Sequence, residues 1–309
     1  PNSRAVQVFN DIGVPVVGVF LDHPFQLRDR IDLPLARYHV SFPALHAARF
    51  CRTYIRDDIT YHHLAHGTDV RLAKPWSERD ISLIFIGSVF QQPEQQRAQW
   101  RDHGPDVERD LNDILDLVRG NLARPLEDSV VEVIGADNIS FGRILPYMKT
   151  IDDFLRNAQR IECVQALSSL PLVVVGGGWE AFADHMPGVQ FMGEKTIAQS
   201  LSLVDSSKAV LNPFPGYNDS HERVFNAMAG GSAALTNRSA YLEETFDETE
   251  IFFLANDAKG LAKSVGILIA DDNRLAELAT RGRTKMQAAH TWSARAGNIE
   301  EWIECSQPD

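Results

Sequence analysis

Cysteine is scarce in this chain of 309 residues. Cys51, Cys163 and Cys305 are too far apart to form a CxxC pair, so the sequence offers no thiolate metal framework and no thiol-redox motif. So few cysteines suit a reducing, cytoplasmic setting. Long apolar runs are missing as well. The longest, Val14 to Leu21, falls far below the roughly 20 residues a membrane-spanning helix needs, and no basic, apolar signal pattern opens the chain. It begins at Pro1 without an initiator methionine, as a fragment or processed product would. Positive charge is in deficit: 30 Lys and Arg stand against 42 Asp and Glu, for a net charge of −12. Such a surface repels a phosphate backbone and argues against nucleic acid as a partner. There is no GxxxxGK[ST] phosphate loop, which disfavours ATPase chemistry. There is no DxD pair to clamp a metal–diphosphate, no internal repeat and no low-complexity tract.

What is present falls into two parts. Residues 1–80 are nearly neutral and hold six of the ten histidines (His23, His39, His46, His62, His63 and His66), whereas residues 81–309 carry the net negative charge, with 33 Asp and Glu against 20 Lys and Arg. The first part reads as three short strands, at Val14–Leu21, Leu35–Phe42 and Thr60–Leu64, with a short helix after the second and the turn AHGTD after the third. A polar stretch broken by Pro75 follows as a linker. From Asp80 strands and helices alternate. Strands are expected at Asp80–Phe90, Pro171–Trp179, Val189–Gly193, Lys208–Phe214, Ser232–Thr236 and Phe252–Ala255. Helices are expected around Leu111–Val118, from Thr150, over 196–204, after Asp257 and over Arg274–Ala289. The helix from Thr150 would be capped by Thr150 with Asp153 and would bury Ile151, Phe154, Leu155, Ala158, Ile161, Val164 and Leu167 on one face. The alternation implies an α/β protein with parallel sheets covered on both faces. It divides into a partial first lobe with linker, 1–79, and a second lobe, 80–309.

The most informative segment runs from Leu211 to Thr236, LNPFPGYNDSHERVFNAMAGGSAALT. It reads as the end of a strand, a proline-broken loop, a helix capped by Asp219 or Ser220, a Gly230–Gly231 stop and a second strand. A helix N-terminus at the carboxyl end of a parallel strand is a place for a phosphate or diphosphate. Arg223, with His221 and Glu222, lies in the first turn, where its charge opposes the helix dipole unless an anion compensates it. Asn226, one turn further in, is placed to meet a ribose hydroxyl. Gly176–Gly177–Gly178 lacks the sixth-position glycine of a dinucleotide fingerprint, since Ala181 stands there. A glycine turn giving the backbone close access to a ligand or to the other lobe is the better account. His23 and His66, with Asp22, lie at strand ends of the first lobe, where a histidine could act as base or hydrogen-bond a sugar hydroxyl.

Taken in order, IFIGS, VVVGGGW, VQFMGEKTIAQSLSLVDSSKAVLNPFP, ERVFNAMAGGSAALTN and TWSARAGNIEEW resemble the nucleotide-sugar-binding lobe of GT-B fold glycosyltransferases. The similarity covers about residues 81–309 and reaches 1–80 only loosely. The set looks closest to the glycosyltransferase group 1 family in its CgeB-like, spore-coat maturation branch, and AHGTD looks like that family's Pro-His-Gly-x-Asp segment. The resemblance implies two Rossmann-like lobes, the first apparently incomplete. It also implies transfer of a sugar from a nucleotide diphosphate-sugar to a glycan, lipid or protein acceptor, with no metal and no further cofactor. Arg223 and His23 would be the catalytic pair. Gly176, Gly177, Gly178, Ser220, His221 and Glu222 would hold the diphosphate and Asn226 the ribose, with Met192–Glu194 and Lys195 near the base. Asn226 stands where the family usually has a glutamate. The basic residues that relatives place after the first strand of this lobe are missing near Gly87–Ser88, leaving Arg97 as a distant substitute. A nucleotide-sugar epimerase and a non-catalytic nucleotide-sugar or carbohydrate-binding protein are the alternatives.

Overall fold

The computed structural model describes residues 3–137 and 139–305. Strands β1 (Val16–Val19), β2 (Tyr38–Phe42) and β3 (Thr60–His63) form a three-stranded parallel sheet in that order. Strands β4 (Ile81–Ile86), β5 (Leu172–Val175), β6 (Val189–Phe191), β7 (Ser207–Asn212), β8 (Ala233–Thr236) and β9 (Phe252–Phe253) form a second parallel sheet, ordered β6-β5-β4-β7-β8-β9. Counted within this sheet the order is 3-2-1-4-5-6, the doubly wound arrangement whose connections reverse direction between β4 and β7.

Alternation along each strand explains why both faces are covered. Leu83 and Phe85 of β4, Leu172 and Val174 of β5, Ala209 and Leu211 of β7 enter one core. Ile84, Val173 and Val210 enter the other, against the helix Glu222–Ala229. A period of two on strands buried on both sides produces this near-continuous apolar pattern.

One long helix, Phe141–Ala166, serves both lobes. Its first part, from Phe141 to Ala158, packs in the core beneath the first sheet, and Ile161, Val164 and Leu167 pack beneath the second. The stripe expected from Ile151 to Leu167 is buried throughout. The expected start is not observed. Thr150 lies inside the helix, which begins two turns earlier because Phe141, Ile144 and Met148 continue the apolar stripe; Ser140 is the N-cap residue, without a side-chain cap. Pro146 is accommodated in the second turn.

The sequence boundary at 79/80 separates the sheets but not the cores. Trp100, Leu111, Ile114, Leu115, Val118, Leu126 and Val130 join the core that holds Val40, Phe42 and Phe50. The chain also crosses back at its end. The helix Trp292–Glu304 lays Trp302 on His62, with ring centroids 4.0 Å apart and planes 9° apart. Thr68 and Thr291 form a bridge where the crossing begins. No helix among the described residues is long and apolar enough to cross a membrane.

Candidate functional site

The carboxyl ends of β4 and β7 flank the point where strand order reverses, and the loops after them build the site. The loop after β4 is held by backbone. Gly87 N–H donates to the Val175 carbonyl at 2.8 Å, Val89 N–H to Gly177 at 3.0 Å, and the Trp179 indole to the Gly87 carbonyl at 2.8 Å. Gly176 (φ 145°) and Gly178 (φ 82°) are needed because a Cβ at either would strike the backbone of Gly87 or Val89. The close approach made by the Gly176–Gly178 turn is thus to the neighbouring loop of the same lobe. The Gly177 N–H is also taken, by Ser88 Oγ at 3.0 Å. Glu194 lies over Gly177, and the Lys195 ammonium donates to the Met192 carbonyl at 2.8 Å.

After β7 the chain forms a tight turn. Asp219 has φ 59° and ψ −48°, and Ser220 N–H donates to the Asn218 carbonyl at 2.7 Å, a γ-turn of the rare positive-φ type. Neither Asp219 nor Ser220 caps the following helix. His221 does, its Nδ1 accepting from Arg223 N–H at 3.2 Å. Asp219 is occupied elsewhere, accepting from Leu45 N–H at 2.7 Å and Tyr241 N–H at 3.4 Å. Ser220 pairs with the AHGTD turn, its Oγ 2.9 Å from His66 Nδ1. The His221 cap takes the Arg223 N–H, so this group is not free for an anion.

Guanidinium groups supply the positive charge instead. Arg223 is half-buried over the Phe85 ring and donates from Nη1 to Asn212 Oδ1 at 2.9 Å. Arg160 reaches over from the long helix and donates to the Ser88 carbonyl at 2.7 Å. Neither forms an ion pair among the described residues. Arg156, four residues before Arg160, is paired with the buried Asp152 at 2.7 Å. Burial first, and then Arg160, pull the Arg223 pKa down to about 9; burial and Arg156 lower that of Arg160. Glu222 offsets this for Arg223 and Asp152 for Arg160, in each case by less than the lowering causes, and a bound anion would relieve what repulsion remains.

Two openings meet at Glu222. A cleft of about 270 Å³ between the lobes is lined by Asp22, His23, His66, Arg156, Asn218 and Ser220–Glu222. The Asn218 Nδ2 there is buried without a hydrogen-bond partner. A slot of about 170 Å³ on the other side is apolar, with Ile86, Ile197, Leu201, Val204 and Val210, and polar at Lys195, Glu222, Arg223 and Asn226. Asn226 Oδ1 accepts from Thr68 at 2.8 Å and Arg71 at 3.4 Å.

The structure therefore brings Ser220, His221, Glu222, His23 and His66 to the cleft, and Lys195, Arg223 and Asn226 to the adjoining slot, with Glu222 shared by both. His23 is no free base. Its Nδ1 accepts from Phe25 N–H at 3.3 Å, which leaves the ring proton on Nε2, 3.2 Å from His46 Nε2. Arg97 is exposed and bound to Asn112, away from the site. The sequence reading missed Arg156, Arg160, Asn212 and Asn218. Its one available signal was the spacing of four from Asp152 to Arg156 to Arg160, which puts all three on one helix face.

Residues 156–301 match the family model described as "Glycosyl transferase-like". A comparison with curated protein sequences gives no match. Among solved structures, the chain is similar to sucrose-phosphate synthase from Thermosynechococcus elongatus, with TM-score 0.52 and 14% identity over 92% of this chain and 62% of that one. It is also similar to a glycosyltransferase from Rickettsia africae, with TM-score 0.53 and 9% identity over 99% of this chain and 80% of that one. The chain thus spans less than two thirds of the length of the first. At these identities the likeness establishes the fold: α/β, of the GT-B type, with two parallel sheets.

Proposed function

We propose that the protein is a glycosyltransferase that takes its sugar from a nucleotide diphosphate-sugar. The observation that carries this reading is the pair of guanidiniums, Arg160 and Arg223, at the ends of β4 and β7. Both lack a carboxylate partner among the described residues, and they flank the point where doubly wound sheets bind ligands. The diphosphate lies between them, and their charge stabilises the negative charge that grows on it as the sugar leaves, without calling on a metal. The nucleoside occupies the apolar slot, with Asn226 at the ribose and Lys195 at its rim. The sugar and an acceptor (glycan, lipid or protein) share the cleft, where Asp22 is the first-lobe carboxylate positioned to take a proton from an attacking hydroxyl. The match over 156–301 supports the family, and ERVFNAMAGG suggests its CgeB-like branch.

A binding protein without turnover is the second reading, favoured by the engagement of both His23 nitrogens. A thermal-shift screen against UDP-, GDP-, CDP- and dTDP-sugars, followed by transfer and donor-hydrolysis assays on the hits, separates the two. A ligand at a hundred times its dissociation constant adds about 2.7 kcal/mol of stability. A shift with slow sugar release supports the transferase; a shift with no release supports the binder. No shift with any donor overturns both.

A further inference from the structure

Behind the first-lobe wall of the cleft, three side chains from separate elements converge. His23 precedes the turn Pro24–Gln26, His46 precedes the helix Ala47–Tyr54, and Glu127 lies in the first turn of the helix Leu126–Ile134. His23 Nε2 and His46 Nε2 are 3.2 Å apart, and Glu127 Oε2 lies 3.9 and 3.7 Å from them. A circle through these three atoms has a radius of about 2.1 Å, the distance at which imidazole nitrogens and carboxylate oxygens bind Zn²⁺. His23 is 1% exposed and Glu127 2%. Glu127 Oε1 takes Arg49 Nη2 at 3.2 Å, whereas Oε2 is buried with no hydrogen-bond partner.

A bare carboxylate oxygen in a dry pocket is unfavourable unless it is paired, protonated or bound to a metal. The two facing Nε2 atoms can share one proton, but that proton does not reach Oε2. A cation at the common centre satisfies all three atoms at once. We infer that His23, His46 and Glu127 form a zinc site, two imidazoles and one carboxylate with a fourth position left for water. Ligation through Nε2 moves the His23 ring proton to Nδ1 and gives up the contact from Phe25 N–H, which at 3.3 Å is a long one. Two nitrogen donors and one oxygen donor favour Zn²⁺ over Mg²⁺ or Ca²⁺, which take oxygen cages. The ion fixes the wall that presents His23 to the cleft, and its binding does not depend on what the cleft holds. No sequence spacing announces it, because the ligands lie at 23, 46 and 127 and meet only when the helix Leu126–Ile134 packs on the first lobe.

The test uses the whole chain, dialysed against chelator and titrated with Zn²⁺ by calorimetry, with metal content measured after gel filtration. One equivalent is expected in the wild type, with no comparable binding of Mg²⁺. Binding weakens at least tenfold in Glu127→Gln and His46→Ala, and is unchanged in His62→Ala, which breaks a different close histidine pair, His39–His62. Should a variant fail to fold, the visible spectrum of the Co²⁺-loaded wild type decides. Intense bands of tetrahedral coordination support the site; weak octahedral bands overturn it. Absence of stoichiometric Zn²⁺ in the wild type, or undiminished binding in folded Glu127→Gln and His46→Ala, also overturns it.

Discussion

Arg223 sits in the first turn of a helix, where its charge opposes the dipole, and beside a second guanidinium that has no carboxylate partner of its own. For folding alone this arrangement is unfavourable, so removing the charge should leave stability near the wild-type value. Binding is another matter. Arg223→Ala is expected to weaken UDP or GDP by about 1.5–3 kcal/mol, the scale of a charge-assisted hydrogen bond. Arg223→Lys should recover only part, because it keeps the charge and loses the fork. Calorimetric titration of both nucleotides into the three proteins checks this, and equal affinities would remove Arg223 from the donor site. The sequence makes Arg223 legible through its place in a strand–loop–helix segment. Arg160 was not legible, because it reaches the crevice from a helix some sixty residues earlier. A spacing of four reports a shared face, and only tertiary packing says what that face overhangs.

At the level of elements, strands and apolar stripes could be read, and helix starts only in part: the helix expected after Asp257 does begin there, with Asp257 accepting from Gly260 N–H. The burial of Leu111, Ile114, Leu115 and Val118, and of Val224, Phe225 and Met228, follows from periodicity alone. Caps depend on competition for partners. Thr150 and Asp153 fit a capping box, but the apolar stripe extends past them to Phe141, and the chain stays helical. Thr196 with Gln199 does form a capping box, at the start of the helix Ile197–Asp205. Asp219 fits a cap by type and is instead drawn to Leu45 and Tyr241, joining the loop before the key helix to the first lobe. The γ-turn at Asp219 is held from outside by those bonds and by the Ser239 hydroxyl on its carbonyl. Asp219→Ala leaves two N–H groups without their acceptor and is expected to cost about 1–3 kcal/mol. Asp219→Asn, which keeps one acceptor oxygen, should cost less. Urea denaturation tests the order: midpoints should fall in that sequence at constant slope, and a wild-type midpoint in Asp219→Ala would show the turn needs no such anchor.

For the molecule as a whole, the question is what keeps the lobes together where the chain crosses back at 290–295. Thr68 N–H donates to the His290 carbonyl at 3.2 Å, and Arg295 donates to the His66 carbonyl at 3.1 Å and to His290 Nδ1 at 2.8 Å. His290 is buried against Phe225 and Phe246, near the Tyr241 hydroxyl and with Lys285 close by. Burial first, then Arg295 and Lys285, hold its pKa down from 6.5 to about 4. The folded state therefore keeps His290 neutral where the unfolded chain would protonate it. This contribution to stability is present in full above pH 6.5. It is lost as the pH falls toward 4, by about 3 kcal/mol at most. His66, also held down to about 4 by burial, acts in the same direction. The absolute slope is thus a sum, and the informative quantity is the difference a variant makes. His290→Gln keeps an acceptor for Arg295 and removes the titration. Its melting temperature should depend less steeply on pH between 6.5 and 4.5 than the wild type's. Protonation takes away the acceptor on which Arg295 rests, so hydrogen exchange in the helix Trp292–Glu304 should quicken with acid in the wild type and not in the variant. Parallel melting curves with identical exchange would show that acid loosens the lobes somewhere other than this crossing.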